Sequence, residues 1–301
     1  PRENTLGLEA VTGSGEPITT GVRTSKGVVG YDLTRLLIGS EGTLALITQA
    51  TLKLTPLAES QRTLRAIYAD IHGAAAAVSA IMAQPVTPCS LEFMDGTAIA
   101  MVRDYVDLGL PAETGALLMI EVDGPAACIE HAATTLAAVA RTPAALEVKV
   151  AGDAQEVALL WKARKALSPA LRNIAPKKIN EDVVVPVARM GEFIDGLERL
   201  SRETGIRIVN FGHAGNGNIH VNLLVNPDDP GEMTRAAGCL EAVFDLVLAL
   251  QGTLSGEHGV GLEKRQFVGR EIDPVTLRLM RAIKRQFDPN DILNPGKGFP
   301  D

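Results

Sequence analysis

The strongest constraint on this chain is a rhythm of strands and helices that it runs through twice. From about Gln61, strand-like Thr63 to Tyr68 leads into an alanine-rich helix over Gly73 to Ala83; Pro85 and Pro88 then precede a second strand around Leu91 to Met94. The spacing predicts a helix around Thr97 to Tyr105, a strand over Ala116 to Val122, a helix over Ala126 to Ala140 and a strand over Ala145 to Val150. The second half repeats the order. Met190, Phe193, Ile194, Leu197 and Leu200 fall at helical spacing and stop at Gly205, Ile206 to Phe211 and Ile219 to Leu224 read as strands, and Leu240, Val243, Phe244, Val247 and Leu248 mark a helix ended by Gly252. This order is that of an α+β sandwich of ferredoxin-like repeats, with helices on one face of a largely antiparallel sheet. The repeat is one of topology only.

The flanks read differently. Gly7 to Val11 is strand-like, Gly13-Ser14-Gly15 is a turn, Asp32 opens a short helix, and a Gly-rich turn over Gly39 to Thr43 leads into strands Leu44 to Thr48 and Ala50 to Leu54. Asp273-Pro274 opens a last helix running to Phe287, with an N-cap and a proline at its first position. The expected divisions are 1–57, 58–268 and 269–301.

At 301 residues, 46% apolar and 22% charged, the chain is long enough to bury the core of one large domain or two ordinary ones, and its composition is that of a globular protein. Its net charge of −7, without a basic block, argues against a nucleic-acid partner. The longest small-apolar stretch, Ala74 to Met82, is too short to span a membrane, and no charged-then-apolar leader opens the chain. A cytoplasmic protein without a transmembrane segment is expected, peripheral association with the inner membrane remaining open. Cys89, Cys128 and Cys239 lack CxxC spacing and read as small buried or half-buried hydrophobes.

The chemistry concentrates in two stretches. Three of the five histidines lie between positions 213 and 258, among glycines and polar residues. In Asn210-Phe211-Gly212-His213-Ala214-Gly215-Asn216-Gly217-Asn218-Ile219-His220-Val221-Asn222, two strands flank a turn of residues that tolerate positive φ, which predicts a hairpin. Folding there brings His213 and His220 within range of one metal ion if they share a face, and Asn222 shares the face of His220. A phosphate cradle fits less well, because such a loop runs from a strand into a helix. The second stretch, Leu254-Ser255-Gly256-Glu257-His258-Gly259-Val260-Gly261, sets a Glu-His pair among glycines. Two histidines and a carboxylate suit zinc or another divalent ion with an open coordination position. A polar structural turn accounts for either stretch alone.

Gly39-Ser40-Glu41-Gly42-Thr43-Leu44, the Gly212 to Asn222 hairpin, Ser255 to Gly261 and Leu293-Asn294-Pro295-Gly296-Lys297 together resemble, in order, the signatures of FAD-linked 2-hydroxy-acid dehydrogenases. That group includes D-lactate dehydrogenases, glycolate oxidase FAD subunits and D-2-hydroxyglutarate dehydrogenases among the vanillyl-alcohol-oxidase-type flavoproteins. The resemblance implies that 1–57 is the end of an FAD-binding domain, that 58–268 is the cap over the flavin, and that 269–301 returns to the FAD domain. The loops that hold the FAD pyrophosphate are expected upstream of Pro1. The implied reaction oxidises a D-2-hydroxy acid, D-lactate or glycolate, to the 2-oxo acid, with hydride passing to flavin N5. Removing a hydroxyl proton calls for a base and for charge stabilisation by a metal. By resemblance His213, His220 and Glu257 are the metal ligands and His258 is the base. Arg164 would take the substrate carboxylate with Ser168 one turn later, Asn222 would contact substrate, and Glu41, Gly42, Ile47 and Asn294 would contact FAD. Lys162, Arg164 and Lys165 would otherwise be a solvated helix face, and Trp161 reads as core.

Two departures stand out. Asn216 occupies a position where relatives usually carry Asp; if that Asp orients a ligand histidine, the amide weakens the metal's support. Relatives acting on a five-carbon diacid place a lysine shortly before the strand at Val183, whereas Asn180 sits there and Lys177 and Lys178 lie further upstream, which favours a small monoacid. The rival readings are a flavin-independent metal hydrolase and a non-catalytic fragment that binds metal or substrate. The electron acceptor (quinone, cytochrome or an electron-transfer flavoprotein) and the assembly, homodimer or multi-subunit complex, are left open.

Overall fold

In the computed structural model, which describes residues 2–24, 26–103 and 106–299 apart from the side chains of 168, 169, 172 and 173, the elements follow the chain closely. β1 (Thr5–Thr12) is followed by β2 (Pro17–Gly21), α1 (Leu33–Leu37), β3 (Ala45–Leu52), β4 (Ser60–Tyr68), α2 (Ile71–Met82), β5 (Ser90–Asp95) and α3 (Gly96–Val102). Then come β6 (Ala116–Gly124), α4 (Ile129–Ala140), β7 (Ala145–Val150), α5 (Ala154–Ile174), β8 (Lys177–Val184), α6 (Met190–Thr204), β9 (Arg207–His213), β10 (Asn218–Val225), α7 (Pro230–Ala249), α8 (Val268–Glu271) and α9 (Pro274–Phe287). The expected end of α3 at Tyr105 lies outside the described residues.

Aspartate begins most of these helices. The side chains of Asp32, Asp70, Asp95, Asp153, Asp229 and Asp273 each accept from backbone N–H groups of a first turn. Part of the chain's negative charge is therefore spent on donors that a helix leaves unsatisfied, at the end where the helix dipole favours it.

Two compact units result, Pro1–Leu57 with Glu257–Asp301, and Ala58–Gly256. The second crossing falls at Gly256, ahead of the 268 expected from sequence. In the first unit, β2-β1-β3 form an antiparallel sheet. Leu8 and Ala10, two residues apart on β1, bury themselves with Leu37, Leu44 and Ala45. β3 is one strand where the sequence suggested two. The interruption is a bulge: Glu9 pairs with Gln49 and Ala10 with Ile47, so Thr48 is the extra residue, and its Oγ1 donates to the Glu9 carbonyl at 3.1 Å.

The second unit holds, among the described residues, a seven-stranded antiparallel sheet in the order β7-β4-β6-β5-β9-β10-β8. The first four strands have the order of one ferredoxin-like βαββαβ unit. β8, α6, β9, β10 and α7 begin a second, whose fourth strand is reduced to a single bridge between Val184 and Thr253. The halves join edge to edge, β5 against β9, over Glu92↔His213, Phe93↔Gly212 and Met94↔Phe211.

Helices cover both sheet faces rather than the one face anticipated. On one face, Ile67, Met94, Leu117, Met119, Val209 and Phe211 pack with α3 and with Leu160, Ala163, Leu167 and Leu171 of α5. Each such leucine contributes about 2 kcal/mol by leaving water. On the other face Tyr68, fully buried, donates its hydroxyl to the Ala140 carbonyl ending α4 at 2.7 Å. α5 escaped the strand-and-helix reading because polar residues such as Gln155, Glu156, Lys162, Arg164 and Lys165 interrupt its apolar positions. Of the cysteines only Cys239 is buried; Cys89 and Cys128 are exposed, Cys128 because it caps α4 at the surface.

Candidate functional site

The β9–β10 hairpin closes through one turn of 3-10 helix, Ala214–Asn216, and Gly217 at φ 73°, where a Cβ would come within 2.0 Å of the Val185 carbonyl oxygen. Asn218 pairs with His213 and Phe211 with His220. Directly paired residues point the same way, so His213 and His220 are diagonal neighbours on one face. Their ring centroids are 5.4 Å apart and the planes meet at 81°. Asn222, fully buried on that face, donates Nδ2 to the carbonyls of Val209 and His220, both at 3.1 Å, and its Oδ1 has no hydrogen-bond partner. Turning the amide over would set its oxygen against two carbonyls, which fixes its orientation.

Three residues that sequence reasoning missed complete this face. Glu92, on β5 opposite His213, is buried and bonds His213 Nδ1 through Oε1 at 2.6 Å. Its Oε2 accepts from Arg164 Nε at 2.7 Å. Burial is the largest single influence on Glu92 and pushes its pKa up, but the His213 hydrogen bond and the Arg164 guanidinium together outweigh it and hold the carboxyl below its ordinary value. Asp182, on β8 opposite His220, is fully buried; its Oδ2 accepts from Gly256 N at 2.8 Å and its Oδ1 from Ser255 Oγ at 3.3 Å. Glu121 accepts from Trp161 Nε1 at 2.8 Å and from Thr63 Oγ1 at 2.9 Å. The available signal was a charge inside an apolar strand, as in Ser90-Leu91-Glu92-Phe93-Met94.

Two further residues of the sequence reading have clear surroundings. Arg164 is no solvated helix residue: its side chain is 15% exposed, and the guanidinium carbon stacks 4.9 Å from the Phe211 ring centroid. Asn216 Oδ1 accepts from Asn218 N at 3.2 Å within the turn, while His213 Nδ1 is bonded by Glu92. Trp161 is half-buried against the core, with its N–H tied to Glu121. The Ser168 side chain lies outside the described residues. A cleft of about 340 Å³ opens beside Glu92 and His213, lined also by Met82, Cys89, Leu91 and Gly215.

Glu257 and His258 are exposed and open the second segment of the other unit. Glu257 follows Gly256 directly, so its Cα lies about 3.8 Å from a residue that Asp182 anchors. Within that unit the three glycine-rich signatures converge on Glu41, itself at φ 52°. Its Oε1 accepts from Val260 N at 2.7 Å, its Oε2 from Gly261 N at 2.8 Å, and its carbonyl from Asn294 Nδ2 at 2.6 Å. Gly42 lies so close to Asn294 that a Cβ would stand 2.7 Å from Nδ2. Ile47 is 44% exposed on β3.

The donor set could hold a divalent cation: two imidazoles share one face, and a buried carboxylate on Nδ1 fixes one ring's tautomer and leaves its Nε2 as the nitrogen with a lone pair. The turn 39–43 suits a close-approaching ligand, with left-handed backbone and no Cβ at Gly39 and Gly42, although Glu41 already spends both carboxylate oxygens on the neighbouring loop.

Residues 58–256 thus form a two-repeat α+β unit with a histidine pair, a half-buried arginine and carboxylates on one sheet face. The chain belongs to the family described as FAD linked oxidases, C-terminal domain, whose model matches residues 57–298. It is 38% identical over 298 residues to the glycolate oxidase subunit GlcD of Bacillus subtilis, covering 99% of this chain and 63% of that protein. To GlcD of Escherichia coli it is 33% identical, covering 99% and 59%, and to a D-lactate dehydrogenase of Anaerostipes hadrus 32% identical, covering 98% and 64%. The chain thus spans about three-fifths of the length of these relatives. Among solved structures, p-cresol methylhydroxylase with substrate bound shares the fold at a TM-score of 0.77 and 16% identity, covering 99% of this chain and 65% of that one. No helix among the described residues is long and apolar enough to cross a membrane.

Proposed function

We propose that the protein containing this chain oxidises a small D-2-hydroxy acid, D-lactate or glycolate, to the 2-oxo acid. The observation that carries this reading is one carboxylate, Glu92, whose two oxygens hold a candidate metal ligand, His213, and a half-buried arginine, Arg164. A 2-hydroxy acid carries a hydroxyl and a carboxylate on neighbouring carbons, and this arrangement presents a matching pair of receptors side by side. The relatives named for glycolate and D-lactate support the same substrate class.

In this reading His213, His220 and Glu257 hold a divalent metal, zinc by its donor set. The metal, when bound, stabilises the negative charge that develops as the hydroxyl proton leaves, and FAD supplies the two-electron acceptor. His258 takes the hydroxyl proton, Arg164 binds the carboxylate through its terminal nitrogens, Asn222 lies behind them as the residue proposed to contact substrate, and Ser168 lies within the same helix as Arg164. Gly42, Ile47 and Asn294 contact FAD, and Glu41 serves it through the loop it clasps. Asn180 pairs with Asn222 across β8 and β10, so a neutral amide stands where a second substrate carboxylate would want a cation, which favours a monoacid. Residues 58–256 act as the cap, and the two remaining segments belong to an FAD-binding domain. The relatives named as subunits support work within a multi-subunit assembly that passes electrons onward to a quinone, cytochrome or flavoprotein.

The test is anaerobic reduction of the FAD-loaded protein. D-lactate or glycolate is expected to bleach the flavin's visible absorbance, and His258→Ala to slow that by about 10²-fold or more with metal content unchanged. A protein that binds FAD and is reduced by no small 2-hydroxy acid refutes the proposal.

A further inference from the structure

We infer that Glu92 is a positioning residue that serves the metal ligand and the substrate-binding arginine at once, so that metal affinity and substrate affinity depend on the same carboxylate. The inference rests on the proposed metal site and goes beyond it, because it concerns a residue that touches neither metal nor substrate.

The geometry is specific. Glu92 sits on the edge strand of the first repeat and His213 on the edge strand of the second, paired directly across the seam. The carboxylate side chain is 8% exposed and makes two charge-assisted contacts, 2.6 Å to His213 Nδ1 and 2.7 Å to Arg164 Nε. Each contact settles something for its partner. An ionised carboxylate can only accept, so His213 carries its proton on Nδ1 and presents Nε2 as a metal-binding lone pair. With Nε held by Glu92 and one face of the guanidinium against Phe211, Arg164 is fixed in its plane, and the edge left for a substrate carboxylate is that of its two terminal nitrogens. Burial enforces the arrangement, because an unpaired charge here would have little solvent to turn to.

A neutral isostere cannot do both jobs. In Glu92→Gln one oxygen becomes an NH2 donor. If the NH2 faces His213, Nδ1 must accept and the proton moves to Nε2, which removes the metal-binding lone pair. If it faces Arg164, two donors point at each other and the guanidinium is displaced. Glu92→Asp keeps the charge but is one methylene short, so it can reach one partner and not both.

The experiment is a competition titration of Zn2+ against a chromophoric chelator on the purified protein and on its Glu92→Gln, Glu92→Asp and His213→Ala variants, each checked for a native thermal melt. Long-range 15N NMR of the histidine rings supplies a readout independent of metal. Wild type is expected to bind one Zn2+ that His213→Ala loses, and Glu92→Gln to bind 10- to 100-fold more weakly, as loss of a ligand's hydrogen-bond partner typically does. His213 is expected as the Nδ1–H tautomer in wild type and with an Nε2–H population in Glu92→Gln. In the FAD-loaded protein, Glu92→Gln and Glu92→Asp should raise KM for the hydroxy acid. Unchanged Zn2+ affinity, tautomer and KM in Glu92→Gln, with His213→Ala still abolishing binding, overturns this inference and leaves the metal site standing. Failure of wild type to bind Zn2+ overturns both.

Discussion

Asp95 caps α3 from a buried position, and its consequences for stability can be worked through. Its Oδ1 accepts from Ala98 N at 2.7 Å, and its Oδ2 accepts from both Asn210 N and Asn210 Nδ2 at 2.9 Å. Burial is the dominant influence and outweighs those donors, so the carboxyl is pushed up from the ordinary aspartate value of 3.8 to about 6. Asn210 Oδ1 is buried without a hydrogen-bond partner and becomes the acceptor for an Asp95 O–H once the amide turns over. A folded pKa above the unfolded one means that the native state takes up a proton the unfolded chain has released. The stabilisation is therefore complete below about pH 4 and is lost as pH rises towards about 6. At ~1.4 kcal/mol per tenfold change in proton affinity, the swing is about 3 kcal/mol. Asp95→Asn is neutral at every pH and also sets an amide N–H2 against backbone donors, a pH-independent cost of about 1–3 kcal/mol. Urea unfolding followed by circular dichroism from pH 4 to 7 isolates the titration as the difference between the two proteins. Wild type should lose about 2.4 kcal/mol of that swing relative to Asp95→Asn across the range. Parallel curves would refute the reasoning, and a slope of opposite sign would mean that the three donors outweigh burial.

Other perturbations test the frame around the site. Tyr68→Phe removes a buried hydroxyl that satisfies the last carbonyl of α4 and should cost about 1–2 kcal/mol in thermal or urea denaturation. Gly217→Ala forces a side chain into left-handed backbone and against the Val185 carbonyl; a loss of about 2 kcal/mol or more is expected, together with weakened Zn2+ binding as the hairpin reopens.

Whatever the sequence could reveal, it revealed through local pattern. The α9 boundaries follow from Asp273, Pro274 and the periodicity that ends at Phe287, and the hairpin follows from Gly217 between two alternating strands. The common face of His213 and His220 follows from period-two alternation once the turn is placed. Glu92 was illegible for the opposite reason. Its partner lies 121 residues away, and nothing near Glu92 in the sequence states which strand will pair with β5. Asp182 likewise acts on Ser255 and Gly256, more than seventy residues downstream. Arg164 was visible as a charge, but its burial depended on a sheet face that the expected one-sided arrangement left uncovered.

The position of the site then follows from how the two repeats are joined. In a βαββαβ unit of this strand order, β5 is an edge, and β9 is the edge of the second repeat. Exposed edges invite uncontrolled pairing. Pairing them with each other removes both liabilities through only three residue pairs. That seam is also where side chains from both repeats can meet directly on one sheet face, because every other neighbouring strand pair in the sheet lies within a single repeat. Glu92 comes from one half and His213 from the other, while α5, which connects the halves, brings Arg164 over the junction. A substitution that loosens the β5–β9 pairing should therefore damage the site before it unfolds either repeat, whereas one in the outer strand β7 should cost stability and spare the site.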